Sequence, residues 1–160
     1  MEYAYTAIGR AVFAAQLFET ALVPIFQFFK MKSEPGYHES TQGHIPDGAF
    51  KMPVKAIVNA LAEKGSIAPD LEERLSKYAE DRNMLIHRWI QNHGWPDEND
   101  AQGFAPIVEL ANRVESEAKW LSRKFSGYIV KFADPDWAAE NPEEYEKRIT
   151  LLFHRAHIDE

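Results

Sequence analysis

Residues 69–89 read PDLEERLSKYAEDRNMLIHRW and contain the clearest helical pattern in the chain. Apolar side chains recur there in alternating steps of four and three, which is the spacing of one face of an α-helix. They are Leu71, Leu75, Tyr78, Leu85 and Trp89. Pro69 and the acids after it suit a first helical turn, and Gly94 suits the position past a helix end. The pattern predicts a helix from Pro69 to Gly94 in which Arg82 occupies one position of the apolar seam.

Four further segments carry helical spacing or helix-start signals, over residues 2–32, 53–65, 101–132 and 141–156. Pro24 lies inside the first and predicts a kink or a break there. Residues 33–48 are rich in Gly, Pro and Ser, which predicts a long exposed loop. No segment alternates with a period of two. We therefore expect an all-α, single-domain bundle of four to five helices over residues 1–160.

Two long helices are expected to supply most of the core. The first carries apolar residues at helical spacing at Ala7, Phe13, Leu17, Ala21, Ile25 and Phe28, and Ala4, Ala11, Val12, Ala14 and Ala15 fill in this pattern. The second should bury Ile107, Leu110, Val114, Ala118, Leu121, Phe125, Tyr128 and Phe132. Around Pro24 hardly any polar face remains, so this part of the first helix should be covered on more than one side, by other helices or by a second copy of the chain.

Composition excludes several classes of protein. The chain has no cysteine, which rules out disulfides, thiolate metal sites and cysteine nucleophiles. A cytoplasmic location is the default expectation, because residues 11–29 are apolar but interrupted by polar side chains and lack signal-peptide features. The net charge of -7 disfavours anionic partners, so binding of nucleic acid requires a locally basic cleft.

Motifs for common cofactors and metals are missing from the sequence. There is no Gly-rich phosphate loop, no Gly-x-Ser-x-Gly elbow, no Glu-x-x-His and no His-Glu-x-x-His. His154 and His157 lie three residues apart near the C-terminus and are interpreted as a surface pair. We predict neither a cofactor nor a metal.

The segment Arg82-Asn83-Met84-Leu85-Ile86-His87 carries the chemistry that stands out. Arg82 rarely enters a core without a partner or a role. Asn83 and His87 lie four residues apart on one helix face, whereas ideal α-helical geometry places Arg82 roughly 140° away from His87. A purely structural interpretation is also open, in which Arg82 pairs with a carboxylate of a neighbouring helix, namely Glu109, Glu115 or Glu19.

This segment resembles the Arg-x-x-x-x-His motif of the HEPN superfamily, including a polar residue directly after the arginine. The predicted α-bundle, with the motif late in a helix beyond the middle of the chain, is similar to the HEPN arrangement too. The position two residues after the histidine, a tyrosine in many catalytic members, is Trp89 here.

The resemblance implies a metal-independent endoribonuclease or RNA-binding protein of a microbial toxin-antitoxin or defence system. Such proteins act as homodimers whose paired motifs form one cleft, often with a cognate antitoxin. His87 would be the base or acid, Arg82 the phosphate clamp, and Asn83 the group that orients His87 or the phosphate. Further positive or aromatic contacts to RNA would come from Arg88, Lys77, Arg74 and Trp89.

Two other functions remain open at the level of sequence. One is a non-catalytic helical dimerisation or interaction module in which Arg82 and His87 are structural. The other is a bundle that binds a small molecule through Trp89, Trp95 and Trp120. No interaction with a membrane is expected.

Overall fold

A computed structural model describes residues 1–63, 69–133 and 135–148 of the chain. Within these ranges the secondary structure is helical and no strand occurs, which confirms the predicted all-α fold. The α-helices are α1 (Glu2–Ser33), α2 (Tyr37–Thr41), α3 (Val54–Glu63), α4 (Pro69–Asn83), α5 (Trp89–His93), α6 (Ala105–Ala133) and α7 (Pro135–Glu140). A 3-10 helix spans Asp47–Lys51, a π-helical segment spans Met84–Arg88, and residues 142–148 are helical.

Helices α1 and α6 form the largest packing contact, and they run parallel. The Tyr3 hydroxyl donates to the Ala101 carbonyl at 2.9 Å just before α6, and Phe18 packs on Phe125 near the other end. Helix α4 runs antiparallel to both. It is joined to α6 by ion pairs between Arg74 and Glu117 and between Arg113 and Asp81. Its C-terminal end lies beside the middle of α1, where Tyr78 packs on Phe18 and Arg82 contacts Glu19.

Small side chains form the seam of α1 against the rest of the bundle. The buried positions are Ala4, Ala7, Ala11, Ala14, Ala15, Phe18, Leu22, Val23 and Phe26. Of the six positions expected at helical spacing, Ala7 is buried, whereas Leu17, Ala21, Ile25 and Phe28 are only partly buried. The expected core position of Phe13 is wrong, since this side chain is 55% exposed. The seam faces Ala111 and Ala118 of α6, which are fully buried. The first half of the seam, up to Ala15, consists of alanines, which allow two helices to approach closely, and a larger side chain at one of these alanine positions would hold them apart.

Helix α1 continues through Pro24, so the predicted break is not observed there, and a kink stays a prediction. Leu22, Val23 and Phe26 beside Pro24 are buried within the chain, whereas Ile25, Phe28 and Phe29 are partly buried. Gln27 is buried and accepts a hydrogen bond from the Tyr37 hydroxyl of α2. Lys30 lies over the Tyr37 ring at 4.1 Å.

The segment predicted as a loop is mostly exposed but contains more structure than expected. Helix α2 lies within residues 33–48, between Gly36 and Gln42, which both have left-handed backbone angles. Helix α3 begins directly after Pro53, as predicted, whereas Gly65 lies outside the described residues. Helix α6 begins at Ala105, four residues later than expected, because 101–104 form turns.

The six predicted core positions of α6 from Ile107 to Phe125 are buried. The side chains of Tyr128 and Phe132 lie outside the described part of the structure. The C-terminal helix is confirmed over residues 142–148, and its expected continuation to 156, with His154 and His157, lies outside the described residues. Helix α7 was not predicted.

Among the described residues, one helical segment, Glu2–Met31, is long and apolar enough to cross a membrane. Core helices of soluble proteins and signal sequences pass the same test of length and composition, so the expectation of a core helix stays a prediction. Nor does the described part of the chain hold a group of three or more His, Asp or Glu side chains placed to bind a metal ion.

Candidate functional site

The chain changes its helical geometry at the predicted motif. Helix α4 ends at Asn83, and Met84–Arg88 form a π-helical turn before α5 begins at Trp89. A π turn closes between residues i and i+5, so a side chain five positions later returns to the same side of the helix. The expected separation of roughly 140° between Arg82 and His87 is therefore wrong. Arg82 Nη1 lies 3.4 Å from His87 Nε2.

Arg82 is the centre of a small polar cluster. Its Nη1 also donates to Asn83 Oδ1 at 3.1 Å, so the three residues predicted as catalytic are in mutual contact through one nitrogen. A guanidinium can only donate, so its contact with His87 is a hydrogen bond only when Nε2 of the imidazole is unprotonated. His87 itself is exposed, and Asn83 is partly exposed.

The opposite edge of the guanidinium faces Glu19 of α1. Arg82 Nη2 donates to Glu19 Oε2 at 2.9 Å, and Arg82 Nε lies 2.8 Å from Glu19 Oε1. The second contact is an ion pair without hydrogen-bond alignment, since neither atom has a hydrogen-bond partner among the described residues. Both side chains are about three-quarters buried, at 25% and 23% exposure. Glu19 is one of the three carboxylates named above as partners in a structural role.

A cavity of about 270 Å³ opens beside Arg82, between α1, α4 and the start of α3. Its walls include Arg82 and Asn83 but not His87, which lies outside it. The remaining walls are Glu19, Lys51, Met52, Pro53, Val54, Lys55, Tyr78 and Ala79. A second cavity of about 210 Å³ shares Glu19, Met52 and Val54 with the first and continues along α1 past Gln16 and Thr20.

Tyr78 places a polar atom deep in this wall. Its side chain is 1% exposed, and its hydroxyl has no hydrogen-bond partner among the described residues although Glu19 is close. Burial, together with the charge of Glu19, raises the pKa of Tyr78 well above its usual range. The hydroxyl therefore keeps its proton at any ordinary pH, and Glu19 is an acceptor close to it although the two do not form a hydrogen bond of good geometry.

Sequence reasoning missed Lys51 and Lys55. Both side chains are exposed at the cavity, and neither forms an ion pair with another described residue. With Arg82 they give three positive charges against the single negative charge of Glu19. Lys55 lies in the first turn of α3, which has no acidic residue. A lysine at a helix N-terminus opposes the helix dipole, so this position was the signal available from the sequence.

The other predicted RNA contacts are not grouped around the cavity. Arg74 binds Glu117 through two nitrogens, at 2.6 and 2.8 Å, and lies over the Trp120 ring. Arg74 and Lys77 instead line a groove of about 370 Å³ between α4 and α6, whose charged side chains are three basic and four acidic. Arg88 is exposed directly after His87.

The three tryptophans of the small-molecule hypothesis contact different partners. Trp89 is partly buried against the core and lies 4.4 Å from the His93 ring. Trp95 packs on Tyr5 and Phe104, and Trp120 packs under Arg74. None of the three lines the cavities beside α4.

Comparison of the chain with protein-family models, with curated proteins and with solved structures gave no match.

Proposed function

We propose that this protein is a HEPN-like, metal-independent endoribonuclease in which Arg82, Asn83 and His87 act on the RNA phosphate. The observation that carries the proposal is the π turn, because it places the imidazole 3.4 Å from the guanidinium although ideal helical spacing would separate them. Irregular π segments are frequent at functional sites, since they are retained at a cost to helix stability. A helix that only packs against its neighbours would be expected to continue here in regular α-helical turns.

The chemistry requires a base, an acid and a cation. A base takes the proton of the ribose 2′-hydroxyl, whose oxygen attacks the adjacent phosphorus; the bond to the 5′-oxygen breaks, and an acid protonates that leaving oxygen. The products end in a 2′,3′-cyclic phosphate and a 5′-hydroxyl. His87 provides a nitrogen for proton transfer, and Arg82 provides positive charge for the pentacoordinate phosphate.

One chain offers one histidine at this cluster, so a second copy would supply the other proton-transfer group. A two-fold contact brings the same residues of both chains to its axis. Ile90 follows His87 by three residues and is 66% exposed, and Phe13 on α1 is 55% exposed. We propose that such a contact buries Ile90, which lies one helical turn from His87. We propose a homodimer with a composite site, acting as the toxin of a toxin-antitoxin pair or in defence.

The second candidate is a non-catalytic interaction module, and the contact between Arg82 and Glu19 favours it. Arg82 joins α4 to α1 through two close contacts in a partly buried setting. An arginine kept only for this purpose needs neither Asn83 nor His87. Catalysis and the structural role therefore differ in whether His87 matters.

The test is incubation of the purified protein with mixed RNA in EDTA, followed by analysis of the product ends. The wild type is expected to release cyclic-phosphate ends, whereas His87→Ala should lose at least 100-fold in rate, the usual scale of general acid-base catalysis. His38→Ala removes an exposed histidine of α2 and serves as the matched control. Equal rates in all three proteins, or no cleavage by the wild type in a dimeric state, would refute the nuclease and leave the interaction module.

A further inference from the structure

We infer that the cavity beside Arg82 is a subsite for one phosphate and ribose of single-stranded RNA, next to the bond that is cut. This inference rests on the proposed RNA-binding function and extends it to residues outside the motif. The phosphate lies between Lys51, Lys55 and the N-terminus of α3, and the ribose lies against the apolar wall formed by Met52, Pro53 and Val54.

Charge is the first argument. The protein carries a net charge of -7, yet the charged side chains that line this cavity are Lys51, Lys55 and Arg82 against Glu19 alone. The groove between α4 and α6 has more acidic than basic side chains, and the cavity that continues along α1 has only Glu19 as a charged wall. An anion entering a described cavity beside α4 is therefore favoured only here.

The second argument is the start of α3. This helix has ten residues, it begins at Val54 in the cavity wall, and its first turn holds no acid. The first N–H groups of a helix have no partner within the helix, and the helix dipole adds positive potential at this end. Pro53 fixes the approach of the chain, so backbone donors and the two lysines surround the same space.

The third argument is independent of charge. The Tyr78 hydroxyl is buried in the wall of this cavity, and it has no hydrogen-bond partner of good geometry among the described residues although Glu19 is close. Buried donors are nearly always paired in folded proteins, so an unpaired hydroxyl in this wall favours an acceptor that binds in the cavity. A phosphate or ribose oxygen provides such acceptors. The size of the cavity, about 270 Å³, suits one nucleotide unit, and the adjoining cavity continues the path of a strand along α1.

The test measures binding separately from cleavage. A ten-nucleotide single-stranded RNA with a fluorescent label is titrated with the His87→Ala protein, which holds the substrate without cutting it, and anisotropy gives the Kd. Adding Lys51→Ala and Lys55→Ala together should weaken binding about tenfold or more, as expected for loss of two phosphate contacts. Lys124→Ala with Lys147→Ala changes the net charge equally at exposed positions away from the cavity and should change Kd less than twofold.

Tyr78→Phe gives a second, uncharged test. Because the hydroxyl that this substitution removes has no hydrogen-bond partner of good geometry among the described residues, the melting temperature should stay equal or rise while RNA binding weakens severalfold. A fall in melting temperature with unchanged binding would show that the hydroxyl serves the fold, and it would overturn this part of the subsite.

A competition experiment distinguishes a nucleotide unit within RNA from a free nucleotide as the ligand. A free nucleoside 3′-monophosphate should displace the RNA only at concentrations far above the Kd of the RNA. Displacement at concentrations close to the Kd of the RNA would overturn RNA as the ligand. Equal weakening by the two lysine pairs, or no RNA binding at all, also overturns the subsite. If neither the wild type nor any variant cleaves RNA but binding depends on Lys51 and Lys55, the proposed nuclease is refuted and the subsite is supported.

Discussion

Removal of Arg82 should destabilise the protein, and the size of the loss depends on how deeply the ion pair between Arg82 and Glu19 is buried. A fully buried ion pair costs about 3–5 kcal/mol when one partner is removed, and an exposed pair contributes about 0.2–1 kcal/mol. Arg82 and Glu19 are about three-quarters buried, so we expect Arg82→Ala to cost about 2 kcal/mol. For a domain of this length that loss lowers the melting temperature by about 4–8 °C.

A double-mutant cycle isolates the pair from the rest of each side chain. Free energies of unfolding are measured in urea for Glu19→Ala, Arg82→Ala and the double variant, with helical circular dichroism as the signal. We expect a coupling energy of about 1–2 kcal/mol. The matched control is the cycle of Arg113 and Asp81, whose arginine is more exposed, at 43%, and whose coupling should stay below about 1 kcal/mol.

The outcome decides whether α4 is fastened to α1 through this contact. A coupling energy for Glu19 and Arg82 no larger than that of the control pair would refute the reasoning, because the burial difference would then have no energetic effect. An Arg82→Ala protein as stable as the wild type would do the same, and it would remove the basis for the interaction-module hypothesis.

Three further predictions address other parts of the structure. Ala11→Leu should lower the free energy of unfolding in urea by about 1–3 kcal/mol because the buried Ala11 leaves no room for a larger side chain. Phe13→Ala, at an exposed position, should change it by less than about 0.5 kcal/mol, and equal effects would contradict the close packing of α1 at Ala11. Deletion of Ile86 brings His87 four residues after Arg82, so a regular α-turn keeps them together and RNA cleavage should persist, whereas insertion of an alanine after Ile86 should abolish it. Burial would raise the pKa of Glu115, but Lys119 and Arg10 outweigh it and lower this pKa, so the ionised Glu115 stabilises the fold above the ordinary carboxyl pKa and this stabilisation is lost as the pH falls. Glu115→Gln should therefore lower the melting temperature at pH 7. A deficit that does not shrink as the pH is lowered would contradict this.

The seam of α4 could be predicted because helical periodicity determines which side chains face a core. Leu71, Leu75, Tyr78 and Leu85 are buried as expected. The same reasoning failed for Phe13, since hydrophobicity favours the larger side chain while close packing of two helices selects alanines. Periodicity indicates which apolar residues share one face of a helix, but it does not indicate how far apart two helices lie.

The candidate site was predictable in its residues but not in its geometry. Arg82, Asn83 and His87 could be selected from their types and spacing, whereas their contact depends on a π turn that the apolar pattern does not reveal. Lys51 and Lys55 come from a segment about thirty residues earlier and reach Arg82 only through the packing of α3 on α4. Contacts of this kind depend on tertiary structure, which the spacing of residues within one segment does not contain.

The geometry of Arg82 explains why the structural and catalytic roles are compatible. Glu19 binds the edge formed by Nε and Nη2, and His87 and Asn83 contact Nη1 at the other edge. One planar group can serve both sides because its five N–H donors point in fixed, different directions. A lysine carries the same charge on a single ammonium and cannot reproduce this arrangement.

Arg82→Lys therefore separates charge from geometry. If geometry matters, the lysine variant should lose more than half of the stability lost by Arg82→Ala, because one ammonium cannot hold both oxygens of Glu19 and still reach Asn83. RNA cleavage should fall at least tenfold for the same reason. A lysine variant with wild-type stability and cleavage would show that a positive charge suffices, and the fixed orientation of the guanidinium by Glu19 would then have no role.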